Sequence, residues 1–94
     1  MDKMRQITED CFYVAAAALE TADEAKSFFK ALCTEKETQL IAQRLYVAKL
    51  LSENKVYSDI VEATGASSAT VSRVKRAMAT DKDYFDKLLS KLNG

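Results

Sequence analysis

Residues 58 to 79, SDIVEATGASSATVSRVKRAMA, decide how the rest of the chain is read. The spacing predicts a short helix, a tight turn at Gly65 and a second helix opening on Ser67 and Ser68. Ile60 and Val61 are the apolar residues before the turn. Val71, Val74 and Met78 follow it at intervals of three and four, which puts them on one helical face. The opposite face carries Ala69, Ser72, Arg73 and Arg76. A helix-turn-helix needs a small residue that accepts positive φ in its turn, and glycine does so without steric cost. It also needs apolar residues at fixed offsets on either side to lock the two helices at an angle. Ile60, Val71 and Val74 stand at those offsets, and Val61 is bulkier than the alanine often found beside them.

Helix–glycine–helix corners also occur in helical domains that do no reading, so the second helix carries the weight. Ser67 suits the N-cap, whose side-chain oxygen accepts an orphan backbone N–H, and is expected to cap locally in any case. Ser68, Ala69 and Thr70 form the first turn, the part of a recognition helix that comes nearest the base edges of DNA. Short side chains there let the backbone approach. Thr70 can touch a thymine methyl and Arg73 can reach a guanine. The residues expected to read bases are therefore Ser68, Ala69, Thr70, Ser72 and Arg73. Lys55, Lys75 and Arg76 are better placed on phosphates, which fix position but not sequence. Tyr57 and Ser58, at the start of the first helix, can hold a phosphate with backbone N–H groups and the helix dipole.

Charge supports this locally and opposes it globally. The 94 residues hold 14 basic and 14 acidic side chains, for a net charge of zero, whereas phosphate binding usually shows as basic excess. Residues 1 to 33 carry four basic and six acidic groups, residues 34 to 65 four and five, and residues 80 to 94 three of each. Residues 66 to 79 carry three basic groups and no acid, so the second helix of the motif is the one segment with unopposed positive charge. A plain solvated basic face is the alternative.

Composition bounds the rest. The chain is 48% apolar with two glycines and no proline, which lacks the turn punctuation that strands require and implies a single all-α domain. The two cysteines, Cys11 and Cys33, sit among apolar residues and are expected to be buried, reduced thiols. With no histidine they do not make a metal site. The start, MDKMRQITED, has no long apolar run, and the alanines at 15 to 18 are too few to span a bilayer or act as a signal, so a cytoplasmic protein without a membrane partner is expected. No histidine, no carboxylate pair at an identifiable cleft and no glycine-rich phosphate loop argue against an enzyme.

Along the chain, residues 5 to 19 read as a first helix, with Ile7, Cys11 and Val14 recurring on one face. Thr21 with Glu24, and Thr34 with Glu37, have the spacing of capping boxes and should open the next two helices. The second runs through about Leu32, with Ala25, Phe28, Phe29 and Leu32 inward. The third runs from 35 to about 53. Its stripe of Ile41, Leu45, Ala48 and Leu51, with Leu40, Val47 and Leu50 beside it, is wide enough to be buried on more than one side. In so small a chain the second side is most simply a partner copy; a central helix in a monomer is the alternative. SENKV at 52 to 56 is the polar break before the motif. Thr80 and Asp81 should begin a last helix striped by Tyr84, Phe85, Leu88, Leu89 and Leu92. The expected fold is six helices, four of them packed around a two-helix reading head.

LCTEKE at 32 to 37, QRLYVAKLL at 43 to 51 and TGASSATVSRVKRAM at 64 to 78 resemble the Trp repressor superfamily. The likeness runs from Leu32 to Ala79. It is closest to the TrpR-like branch called YerC/YecD, against which it covers nearly the whole chain. The resemblance implies an all-helical, intertwined homodimer whose paired heads enter successive major grooves of double-stranded DNA. Trp repressor is itself among the helix-turn-helix proteins whose half-sites lie ~34–36 Å apart. It also implies a corepressor site in which two arginines hold tryptophan, and Arg44 and Arg73 match them. Val74, however, stands where that site has a glycine, and its side chain would intrude on the ligand. The LLSEN connection differs from the family's by one residue. No tryptophan cofactor is expected, and the sequence names no other small-molecule effector. The function these readings imply is a dimeric, sequence-specific transcription regulator, a repressor, working through residues 57 to 79. The alternative is a helical protein-interaction module that does not bind DNA.

Overall fold

A computed structural model describes residues 2–93, and the described residues form six α-helices with no strand, as the composition requires. They are α1 (Asp2–Ala17), α2 (Ala22–Leu32), α3 (Glu35–Ser52), α4 (Tyr57–Thr64), α5 (Ser68–Thr80) and α6 (Lys82–Asn93). The chain divides into two compact units, Met1–Thr38 and Gln39–Gly94.

In the first unit, α1 begins and ends earlier than the expected 5 to 19. Asp2 lies in its first turn, where a negative charge favours the helix dipole, and Arg5 pairs with Glu9 one turn on at 3.1 Å. The far end tightens: the Ala18 N–H is shared between the carbonyls of Val14 and Ala15, and the Leu19 N–H donates to Ala16. Thr21 caps α2 by accepting the Glu24 N–H at 3.1 Å, but the Glu24 carboxylate accepts from the Thr21 hydroxyl and not from its backbone, so this box is half made. The second box is complete. Thr34 Oγ1 accepts the Glu37 N–H at 3.1 Å, and Glu37 Oε1 accepts the Thr34 N–H at 2.7 Å. That backbone donor, with the Thr34 hydroxyl behind it, holds the Glu37 carboxyl below the usual carboxylate range.

The rings of Phe12 and Phe28 stack at 6.0 Å between centroids, and Phe28 meets Phe29 edge-on at 5.2 Å. Ala25, Phe28 and Phe29 are half-buried. The other residues expected inward are not covered: Leu32 is 62% exposed, Ile7 57% and Val14 71%, and no residue of α1 or α2 is buried. The two thiols correct the same expectation. Both are free, but Cys11 is exposed and Cys33 only half-buried, because α1 buries none of its residues and Cys33 lies just past the end of α2.

The second unit holds the core. Val47, Ala48 and Leu50 of α3, Ile60 of α4, Ala66 of the turn, and Val71 and Val74 of α5 form one buried cluster, with Leu51, Val61, Met78 and Phe85 packed against it. The buried face of α3 is thus Val47–Ala48–Leu50, not the Ile41–Leu45 line, whose members are 51% and 40% exposed. α3 ends one residue sooner than expected, at Ser52. Asn54 takes the left-handed conformation at φ 61°, and the Lys55 N–H reaches back to the Leu50 carbonyl at 3.2 Å, a closure that asparagine tolerates better than most residues. At the far end, Thr80 does not begin α6. It closes α5, its hydroxyl donating to the Arg76 carbonyl, and Asp81 alone separates the two helices. Leu89 is buried and Phe85 and Leu88 half-buried, but Tyr84 and Leu92 stay exposed.

Candidate nucleic-acid interface

Four hydrogen bonds build the turn that aims α5. Gly65 sits at φ 75°, the left-handed position that the spacing predicted for it, and its N–H donates to the Val61 carbonyl at 2.8 Å. The Thr64 hydroxyl donates to the Ile60 carbonyl at 2.7 Å and accepts the Ala66 N–H at 3.1 Å. From α3, the Gln43 side-chain amide donates to the Thr64 carbonyl at 3.0 Å. Ser67 then caps α5, accepting the Thr70 N–H at 3.1 Å. Ile60 and Val71, both fully buried, clamp the two helices together from within.

With α5 seated this way, Ser68, Ala69, Arg73, Lys75 and Arg76 are exposed, and Ser72 is half-buried. Thr70 is half-buried too, and its hydroxyl accepts from Ser67 at 3.0 Å, so local capping engages it first. Among the described residues the ion pairs are Arg5–Glu9, Lys49–Glu53 and Lys82–Asp86. None draws on α5, whose cations are left unneutralised.

The expected phosphate residues fall into a partial cluster. Lys55, Tyr57 and Lys75 line one open groove of about 540 Å³ floored by Leu51 and Met78, and the Lys75 ammonium lies 5.6 Å from the Tyr57 ring centroid. Val56 caps α4 without a side-chain hydrogen bond, and the first N–H of the helix to find a backbone acceptor is that of Ile60, bonded to Val56. The N–H groups of Tyr57 and Ser58, at the positive end of the helix dipole, therefore have no acceptor among the described residues. Ser58 and Arg76 are exposed but do not line this groove.

Arg44 and Arg73, matched by resemblance to a ligand site, do come together. They line a second groove of about 350 Å³ between α3 and α5, with Leu45, Ala48, Val74 and Phe85. Val74 is 9% exposed and belongs to the core, so its side chain forms the wall of this groove. The sequence did not mark Gln43 or Asn54 as parts of the head. Asn54 carries a local signal, an asparagine after a helix; Gln43 carries none, because its partner is 21 residues away.

This geometry defines a helix-turn-helix protein within an all-helical domain. Residues 8–93 match the family described as Trp repressor protein, and the chain belongs to that family. It is 39% identical over 92 residues to the uncharacterized protein YerC of Bacillus subtilis (strain 168), covering 98% of this chain and 88% of that one. The crystal structure of a TrpR like protein from Eubacterium eligens ATCC 27750 superposes with a TM-score of 0.85 at 38% identity, over 99% of this chain and 96% of that one. A crystal structure from Staphylococcus aureus gives the same TM-score and identity, over 98% of this chain and 92% of that one. Among the described residues no helix is long and apolar enough to cross a membrane, and no group of three or more Cys, Asp or Glu side chains could hold a metal ion.

Proposed function

We propose that this protein is a sequence-specific DNA-binding transcription regulator, a cytoplasmic repressor that acts as a homodimer through residues 57 to 79. One observation carries the reading: α5 presents an exposed face of small side chains and unpaired cations on a rigid turn, inside a family of repressors. Ser68, Ala69, Thr70, Ser72 and Arg73 read bases. Lys55, Tyr57, Ser58, Lys75 and Arg76 hold phosphates, and the groove shared by Lys55, Tyr57 and Lys75 supports that division. Selection from random duplex DNA with the purified protein should enrich a two-fold motif with half-sites about one helical turn apart. Enrichment of nothing would remove the reading. The zero net charge favours a second one, a helical interaction module, for which the protein would elute unchanged from gel filtration with duplex DNA at low salt.

The homodimer rests on apolar side chains left bare in the single chain, on α1 and along Leu40, Ile41 and Leu45 of α3. The groove at Arg44 and Arg73 has room for a small molecule, which favours an effector; Val74 in its wall speaks against tryptophan as that molecule. Titration with tryptophan should leave the melting temperature unmoved, and a saturable rise would reverse this part of the proposal.

A further inference from the structure

We infer that Gln43 is the positioning residue of the reading head: its amide, donating to the Thr64 carbonyl, sets the angle at which the end of α4 and the turn lie against α3 and hence where α5 points. The inference rests on the DNA-reading function proposed above. Thr64 is the last residue of α4, so its carbonyl has lost the helical ladder and needs an outside donor. Gln43 supplies one at 3.0 Å in a partly buried place. The nearest groups of the turn are not free to replace it, since the Thr64 hydroxyl, the Gly65 N–H and the Ala66 N–H are committed elsewhere. The amide lies over the bare face of the turn, 3.9 Å from where a Cβ on Gly65 would be.

Among the described residues, this is the side-chain hydrogen bond that joins two helical elements; the others stay within four residues of their donors. The apolar cluster of Val47, Ile60, Val71 and Val74 locks α4 and α5 together and holds them to α3, through a driving force that is itself non-directional. A hydrogen bond is directional, because it weakens steeply as its angle departs from linear. Burial thus attaches the head, and Gln43 orients it.

Gln43→Met keeps the length of the side chain and removes the donor. Residual dipolar couplings on the DNA-free protein should then show α4 and α5 reoriented relative to α3. Affinity for the selected DNA site should fall about tenfold, ~1.4 kcal/mol, with non-specific binding held within about twofold. Gln43→Glu should lose the same orientation at neutral pH and regain it on acidification, because only the protonated carboxyl donates and hydrogen bonding of the neutral form raises its pKa. The wild-type protein, carried through the same pH series, is the control, because its own 14 acidic side chains titrate there as well. If the methionine variant fails to fold, the acid recovery of the glutamate variant decides instead: orientation indifferent to pH overturns the inference. Unchanged couplings in a folded Gln43→Met overturn it outright. Reoriented helices in a protein that binds no DNA would keep the positioning role and sink the DNA-reading function alone.

Discussion

Arg73 and Arg76 lie about one turn apart on α5, both exposed, and the proposed function gives them different work. Arg73 stands nearer the first turn, at the mouth of the groove it shares with Arg44. Arg73→Ala should weaken binding to the selected site by ~1–3 kcal/mol and leave non-specific binding nearly intact. Arg76→Ala should weaken both and shallow the salt dependence by about one ion, as loss of a phosphate contact does. Fluorescence anisotropy on specific and scrambled duplexes across a salt series separates the two. At Gly65 the constraint lies in the backbone. A Cβ there meets Gln43 Nε2 at an ordinary 3.9 Å, so space is not the obstacle, but φ 75° is. Gly65→Ala should cost about 1–2 kcal/mol, read as a lower urea midpoint with unchanged slope.

At the scale of the element, the start of α3 is the most local structure in the chain and the most legible. Thr34 and Glu37 satisfy each other's backbone donors within four residues of sequence, so spacing alone identifies them. Thr34→Ala should cost about 1 kcal/mol. The Glu37 carboxyl is held below its unfolded pKa, so its contribution is present above that unfolded value and drains away as the pH falls through the folded one. Glu37→Gln should therefore flatten the acid limb of stability against pH, which urea midpoints at a series of pH values would record. The buried face of α3 was not legible in the same way. Periodicity marks Ile41, Leu45, Val47 and Leu50 alike as apolar, but which of them the core covers depends on where Ile60 and Val71 arrive from later in the chain. Asp81 does open α6, its carbonyl accepting the Phe85 N–H, but Thr80 was misplaced for a related reason. Both residues suit a helix start, yet a Thr80 hydroxyl bonded back to Arg76 ends a helix equally well.

For the chain as a whole, the six helices follow from composition, capping boxes and apolar periodicity, and the helix-turn-helix from the residues around Gly65. What the sequence left open is what lies against α1. Ile7 and Val14 are bare, and a chain that exposes such residues gains free energy by covering them, roughly 25 cal/mol per Å² of apolar surface removed from water. A second copy presents the same face. Ile7→Glu with Val14→Glu should convert a dimer to a folded monomer in sedimentation equilibrium, with helical content kept, because neither side chain contributes to the core of the single chain. A wild-type protein that sediments as a monomer at micromolar concentration would refute the expectation.

The joint at Asp81 has a consequence for how such a chain can change length. One residue links α5 to α6, while Met78 and Phe85 on either side of it are packed on the same core. A joint of one residue has no slack, so an extra residue there would shift α6 against α5 and disturb the seating of Leu89. The joint is thus closed to insertion, whereas the longer connection at 53–56, around Asn54, can absorb a residue gained or lost. Relatives of different length should carry their difference before the head and not behind it.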